Sequence, residues 1–278
     1  MVSFWNLLLL ATAPAALGAP LLDLIPNLCD LLHILPLPIP ECPPPPCDKH
    51  GWLIQGAALI RVDIGARNYQ TVATSVGGGT AINGIGYNRL DNFLYGCQGT
   101  NNQIIRIGLD GSSSIIGTIG GSVTNNIGDI DHEGFYWAAT QNAATWIKVD
   151  LRPGSSTYGQ VVDSGTTPAP GRGISDWVHF PIAGNYLWAV GSNPAGGSSL
   201  LRWGFNTHSW EILADYPDTD SDFGGEYGSI NGTLWASSNG SGRIWAFSIF
   251  DLTAPYVASQ GPASSSNDGA RCVSNIFV

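Results

Sequence analysis

An internal repeat constrains this chain more than any other feature. An alternating apolar strand pattern recurs at residues 59–63, 104–108, 146–150, 200–204 and 244–248, centred on residues 61, 106, 148, 202 and 246. The intervals between centres are 45, 42, 54 and 44 residues. A strand pattern returning at that period marks an architecture of equivalent stacked sheets.

Each copy carries further strands in the same order. About ten residues upstream of each centre lies a strand with an aromatic or aliphatic end: 52–54, 93–95, 135–137, 186–188 and 233–235. Downstream lies a more polar strand: 70–75, 113–119, 159–164, 210–215 and 256–260. Gly, Asn, Ser and Pro punctuate the runs, as hairpin connections require. A fourth strand precedes the aromatic one in repeats two to five, at 82–87, 127–131, 174–178 and 223–229, but not in repeat one. The chain ends instead on an orphan strand around 268–272, which supplies the missing inner strand of the first sheet. The reading is all-β: a five-bladed β-propeller of four-stranded blades over 47–278, closed by the C-terminal strand. A β-sandwich would also give short strands, but not the regular repeat.

The first 46 residues do not belong to that pattern. Residues 1–18 hold the apolar run Leu7–Leu10 before Ala16, Leu17 and Gly18, the pattern of a signal peptide cleaved before Ala19. The apolar stretch is too short to span a bilayer, which takes about 20 residues, so a secreted, extracellular protein without membrane insertion is expected. Residues 19–46 are rich in Leu and Pro and read as an arm or propeptide. The net charge is -10, with 11 Lys plus Arg and no basic cluster, which argues against nucleic-acid partners.

Five cysteines in an oxidising compartment suggest two disulfides and one free thiol. Cys47 precedes the second strand of blade one and Cys272 lies in its inner strand, within reach of the ~5.5 Å Cα separation of a bridge. Cys29 and Cys42 would close a loop in the arm, leaving Cys97 as a buried thiol. Asn231 and Asn239 stand in Asn-Gly-Thr and Asn-Gly-Ser acceptor sequences for N-glycosylation.

Four segments are distinctive together: 81–96 (AINGIGYNRLDNFLYG), 128–131 with 135–137, 176–178 (DWV) and the closing 266–272 (SNDGARC). The chain resembles, over roughly 47–272, a family of secreted fungal proteins whose domain has no assigned function. The resemblance implies an extracellular or cell-wall-associated protein and carries no catalytic residues.

Candidate chemistry comes from the inner strands, which line a propeller's channel. Their first residues carry Asn83 or Gly84, Asp129, Asp176, Glu226 and Asp268, with Asp131 and Arg271 further in. Trp177 beside Asp176 is placed to stack on a ligand in the channel. Converging carboxylates suit an acid/base pair acting on a glycan, with Asp129, Asp176 and Glu226 as catalytic candidates. They also suit a simpler role, accepting hydrogen bonds from backbone amides at strand starts. Residues 129–134 resemble the start of a calcium loop around Asp129 and Asp131, without the later ligands. No cofactor or other metal site is read, and the histidines show no ligand spacing.

Three functions follow: a glycan-directed or cell-wall binding protein, a carbohydrate-active hydrolase or lyase using the inner carboxylates, or a structural surface protein. The sequence does not decide whether the chain is catalytic, nor its oligomeric state.

Overall fold

A computed structural model of the chain describes residues 47–121 and 125–275. The signal segment, the arm and the Cys29–Cys42 pair lie outside the described residues.

The described residues form five four-stranded antiparallel sheets in a propeller arrangement. Blade 1 orders β20 (Asp268–Arg271), β1 (Gly51–Gln55), β2 (Ala58–Asp63) and β3 (Asn68–Ala73) from inside to outside. Blade 2 runs β4 (Ile82–Asn88), β5 (Phe93–Gln98), β6 (Gln103–Ile107) and β7 (Ser113–Thr118). Blade 3 runs β8 (Ile127–Ile130), β9 (Phe135–Ala139), β10 (Thr145–Asp150) and β11 (Val161–Thr166). Blade 4 runs β12 (Val178–His179), β13 (Tyr186–Ser192), β14 (Ser198–Gly204) and β15 (Trp210–Tyr216). Blade 5 runs β16 (Phe223–Gly228), β17 (Thr233–Ser238), β18 (Arg243–Ser248) and β19 (Tyr256–Gln260).

The last strand completes the first blade as expected, with Gly51 opposite Arg271 and Ile54 opposite Asp268. Cys47 and Cys272 are disulfide-bonded with a Cα separation of 5.9 Å, and Cys97 is a buried free thiol. Asn275 Nδ2 donates to Cys47 O (3.0 Å), and Arg271 Nε to Lys49 O (3.0 Å), so the two ends are knitted by more than the bridge.

The core is divided among the seams between blades. One apolar cluster fills each of the five seams; Trp52, Ile54 and Leu59 of blade 1, for example, pack on Ile82, Ile85 and Leu94 of blade 2. The alternation of strands β1, β5, β9, β13 and β17 sends Trp137, Trp188 and Trp235 into or against these seams, where they are 2–3% exposed. Each fully buried large side chain there is worth about 1.5–3 kcal/mol of transfer free energy.

The cations of the third strands have a local role. Arg61, Arg106, Lys148 and Arg202 stand directly opposite Trp52, Tyr95, Trp137 and Trp188 in the register. Arg106, Lys148 and Arg202 then lie 3.9–4.6 Å from the ring centres of Phe93, Phe135 and Tyr186. Arg202 also pairs with Glu211 on the fourth strand (2.7 Å). The outermost strands are largely exposed, and each pairs with its inner neighbour through a register shift. Such bulges twist a free edge away from further pairing.

One inner strand departs from expectation. The span 174–178 is extended only at Val178–His179, apart from an isolated Gly173–Ser192 bridge. Side chains replace the ladder there. Ile174 N donates to Asn142 Oδ1 (2.8 Å), and Ile174 O accepts from Gln141 Nε2 (2.7 Å), both from blade 3. Trp177 N turns to Asp176 Oδ1 (2.9 Å).

Candidate functional site at the channel mouth

The inner strands touch one another around the whole ring, each against both neighbours. Glycines permit it. A Cβ on Gly128 would lie 2.1 Å from Gly84 O, so the β4 and β8 backbones approach where no side chain fits. Gly84 has φ +63 and sits where β4 bulges, between Asn83 and Gly86 in the register. The bulge releases the N–H groups of Gly84 and Ile85 from the ladder.

The acids named from the sequence take up such released amides. Asp268 accepts from Gly84 N, from Ile85 N (3.2 Å) and from Gly269 N (2.9 Å). Asp176 accepts from Glu226 N (2.7 Å), Trp177 N (2.9 Å), Gly269 N (3.3 Å) and Gly128 N (3.5 Å), reaching three other blades. Asp129 accepts from His179 N (2.7 Å) in blade 4, and Glu226 Oε1 from Val190 N (2.9 Å) in blade 4. Their exposures are 8% for Asp129, 0% for Asp176, 1% for Glu226 and 0% for Asp268.

Burial governs their protonation. It raises Asp176, Asp268 and Glu226 well above the usual carboxylate range, and the carboxylates of Asp268 and Glu226 raise Asp176 further. It pushes Asp129 up to about 7. Glu226 Oε2 has no hydrogen-bond partner, which a neutral carboxyl tolerates far better than a carboxylate. The four acids are therefore tied to the frame, with almost no surface to offer a substrate.

Two other candidates are also held inside. Trp177 is 0% exposed, packed against Trp203 and Trp210 in the blade 3–4 seam, with Nε1 donating to Trp137 O (3.2 Å). It presents no face to the channel, because the turn at Asp176 swings it into the seam. Arg271 is 4% exposed; its Nη1 donates to Gly228 O and Asn275 O (3.0 Å each), and burial lowers it to about 10.

The calcium reading meets a filled turn. Asp131 accepts from Glu133 N (3.0 Å), Phe135 N (3.0 Å) and Trp137 Nε1 (2.8 Å). Among the described residues no group of three or more His, Cys, Asp or Glu is arranged to hold a metal ion.

Open space lies one residue outward, at the mouth where the inner strands begin. A recess of about 170 Å³ is lined by Asn83, Asn126, Gln141, Ser175, Asn239 and Asn267, with Gly224 and the serines at 265 and 266. All five blades contribute, and no lining side chain is charged. Asn126 Nδ2 donates to Gln141 Oε1 (2.9 Å), and Asn267 Oδ1 accepts from Gln55 Nε2 (3.4 Å). Asn267 Nδ2 and Asn239 Oδ1 have no partner, and Asn267 is only 7% exposed. Of the ligand-binding candidates read from the sequence only Asn83 lies on this rim. Asn126 and Asn267 stand immediately before the first residues of β8 and β20, a neighbouring register the strand-start argument passed over. Of the two sequons, Asn231 is exposed in the β16–β17 turn and Asn239 lies at the other end of β17, on the mouth.

Comparison with known proteins adds a family. A profile described as a repeat of unknown function, DUF6923, matches residues 54–274. No curated protein matches. Similarity to solved structures is distant. A streptogramin B lyase is 15% identical, covering 75% of this chain and 65% of its own, with a TM-score of 0.45. A Bacteroides thetaiotaomicron protein of unknown function is 10% identical, covering 80% and 64%, at 0.49. A Xanthomonas campestris gluconolactonase is 15% identical, covering 78% and 79%, at 0.46.

Proposed function

The chain belongs to the DUF6923 family, which has no assigned activity, and we propose from its own residues that it is a non-catalytic binding protein for an uncharged glycan. The ligand sits in the recess at the channel mouth. The observation that carries this reading is the lining: amides and hydroxyls from all five blades, free of charge. A sugar's hydroxyls both donate and accept, so they suit a neutral lining of amides and hydroxyls where an ion would not. At about 170 Å³ against ~30 Å³ per water, the recess displaces about six waters and suits a terminal sugar unit rather than a long chain.

The acids beneath serve the ring and not a reaction. All four are buried and accept amides from neighbouring blades, which leaves hydrolysis or lyase chemistry at these positions without an accessible carboxylate. The leader-like first 18 residues and the Cys47–Cys272 bridge support an extracellular location.

A glycan array read with the intact chain, followed by calorimetry on the best neutral oligosaccharide, tests the reading. Asn83→Ala with Asn267→Ala should weaken binding at least tenfold, since two hydrogen bonds at ~1 kcal/mol each are removed. Retention of no neutral glycan, or unchanged affinity in the double variant, would overturn it.

A further inference from the structure

The two acceptor sequences at Asn231 and Asn239 meet different surroundings in the folded ring. Asn231 stands in the β16–β17 turn, which is closed by bonds from Gly232 N to Ser229 O (3.0 Å) and from Ser229 N to Thr233 O (3.1 Å). Its Oδ1 accepts from Thr233 N (3.0 Å) and from Ser229 Oγ. A backbone N–H can only donate, so the amide oxygen is the end held by the turn. Nδ2, the atom that carries an N-linked sugar, is left on the solvent side of an exposed residue.

An aromatic ring lies against the same turn. Ile249 N donates to Gly232 O (3.0 Å), which brings the β18–β19 turn onto the β16–β17 turn. The edge of the Phe250 ring then rests on Gly232, where a Cβ would stand 2.4 Å from Cε2 and 2.7 Å from Cδ2. Gly232, with φ +83, admits the ring because it has no side chain. Phe250 is nevertheless 58% exposed, a phenyl surface left open to water one residue from the acceptor amide. The apolar face of a pyranose attached at Asn231 fits that surface, and covering it removes apolar area from water.

Asn239 has no such freedom. Its amide lies over Gly224, where a Cβ would stand 2.3 Å from Oδ1 and 2.8 Å from Nδ2, and its Oδ1 is buried. Its backbone is held on both sides, by Asp222 O (2.8 Å) and Ser264 N (3.0 Å). A sugar on its Nδ2 would have to occupy the recess at the channel mouth that Asn239 lines.

We infer that Asn231 carries an N-linked glycan whose first N-acetylglucosamine covers Phe250, and that Asn239 is bare in the folded protein. The donor is an oligosaccharyl diphosphate lipid. The Nδ2–C1 bond forms as the C1–O bond to the diphosphate breaks, the amide gives up one proton, and the lipid diphosphate leaves. The inference rests on the extracellular location proposed above, and not on what the mouth binds.

The full chain expressed in yeast behind a host leader enters the glycosylating compartment whatever its own leader does. Peptide mass spectrometry of the secreted protein should find sugar on Asn231 and none on Asn239, and Asn231→Gln should be secreted without sugar. The glycan trimmed by an endoglycosidase to one N-acetylglucosamine should still raise the melting temperature by about 2 °C over sugar-free chain from a bacterial periplasm, the shift one aromatic contact gives at this size. In Phe250→Ala that difference should vanish. A bare Asn231, sugar on Asn239, or an equal shift without the Phe250 ring overturns the inference. The chain with its own leader alone, kept inside the cell and bare while the host-leader form is glycosylated at Asn231, would refute the extracellular location and leave the site standing.

Discussion

Replacing Asp129 by Asn should change how stability depends on pH in a calculable way. Asp129 is raised from 3.8 to about 7, chiefly by burial, so the folded protein holds its proton more tightly than the unfolded chain does. A raised carboxyl contributes stability that is fully present below pH 3.8 and is lost as pH rises through about 7. The whole difference is worth about 4 kcal/mol at ~1.4 kcal/mol per pKa unit, of which about 3 kcal/mol disappears between pH 5 and pH 8. Asn at the same place keeps an acceptor for His179 N and never ionises. His179 acts oppositely over the same window: burial lowers it, so its contribution is lost as pH falls through the usual histidine value. The wild-type profile alone therefore mixes two trends, and the informative quantity is the difference between the two proteins. Urea denaturation at pH 5, 6, 7 and 8 should show Asp129→Asn gaining about 3 kcal/mol on the wild type from the acid to the alkaline end. A difference constant across that range would refute the argument that Asp129 is a buried, neutral acceptor.

Cys47→Ser with Cys272→Ser opens a loop spanning 225 positions, which the chain-entropy relation values at about 5 kcal/mol; urea midpoints against the wild type measure it, and a loss below about 1 kcal/mol would show that the hydrogen bonds of Arg271 and Asn275 close the ring unaided. Gly128→Ala drives a Cβ onto Gly84 O and should cost about 2 kcal/mol or more, whereas Gly261→Ala meets only ordinary contacts and should stay within about 0.5 kcal/mol in the same assay. Trp177→Ala empties a seam position that is 0% exposed and should cost about 3–5 kcal/mol, with no effect by calorimetry on the glycan binding proposed for the mouth.

The fold was legible because the repeat, the strand order and the orphan C-terminal strand all restate the same closed ring. Apolar alternation reports which side of a strand is buried, and every blade buries the same positions. Blade 4 escaped that logic at residues 174–177, since a ladder replaced by Asn142, Gln141 and Asp176 side chains leaves no trace in periodicity. Of the channel acids placed at strand starts only Asp268 opens its strand, while Asp129 and Glu226 lie within β8 and β16 and Asp176 precedes β12; all four accept backbone amides. What could not be read is how closely the inner strands approach. Gly84, Gly128 and Gly269 let backbone meet backbone, and only that contact turns Asp129, Asp176, Glu226 and Asp268 from a wet ring into buried acceptors. The rim of Asn126 and Asn267 was missed for the same reason, because it takes over the surface that those acids vacate.

The pairing of β20 with β1 imposes an order in time on the molecule. Residues 51–55 leave the ribosome long before 268–271, at roughly 5–20 residues per second, so blade 1 waits on the order of ten to forty seconds for its innermost strand. Until then β1 has an open inner edge, Cys47 has no partner, and the acceptors for Gly84 and Ile85 do not yet exist. Blades 3 to 5 can gather without them, but blades 1 and 2 cannot lock. The ring is thus finished in a single late step, which the Cys47–Cys272 bond then locks.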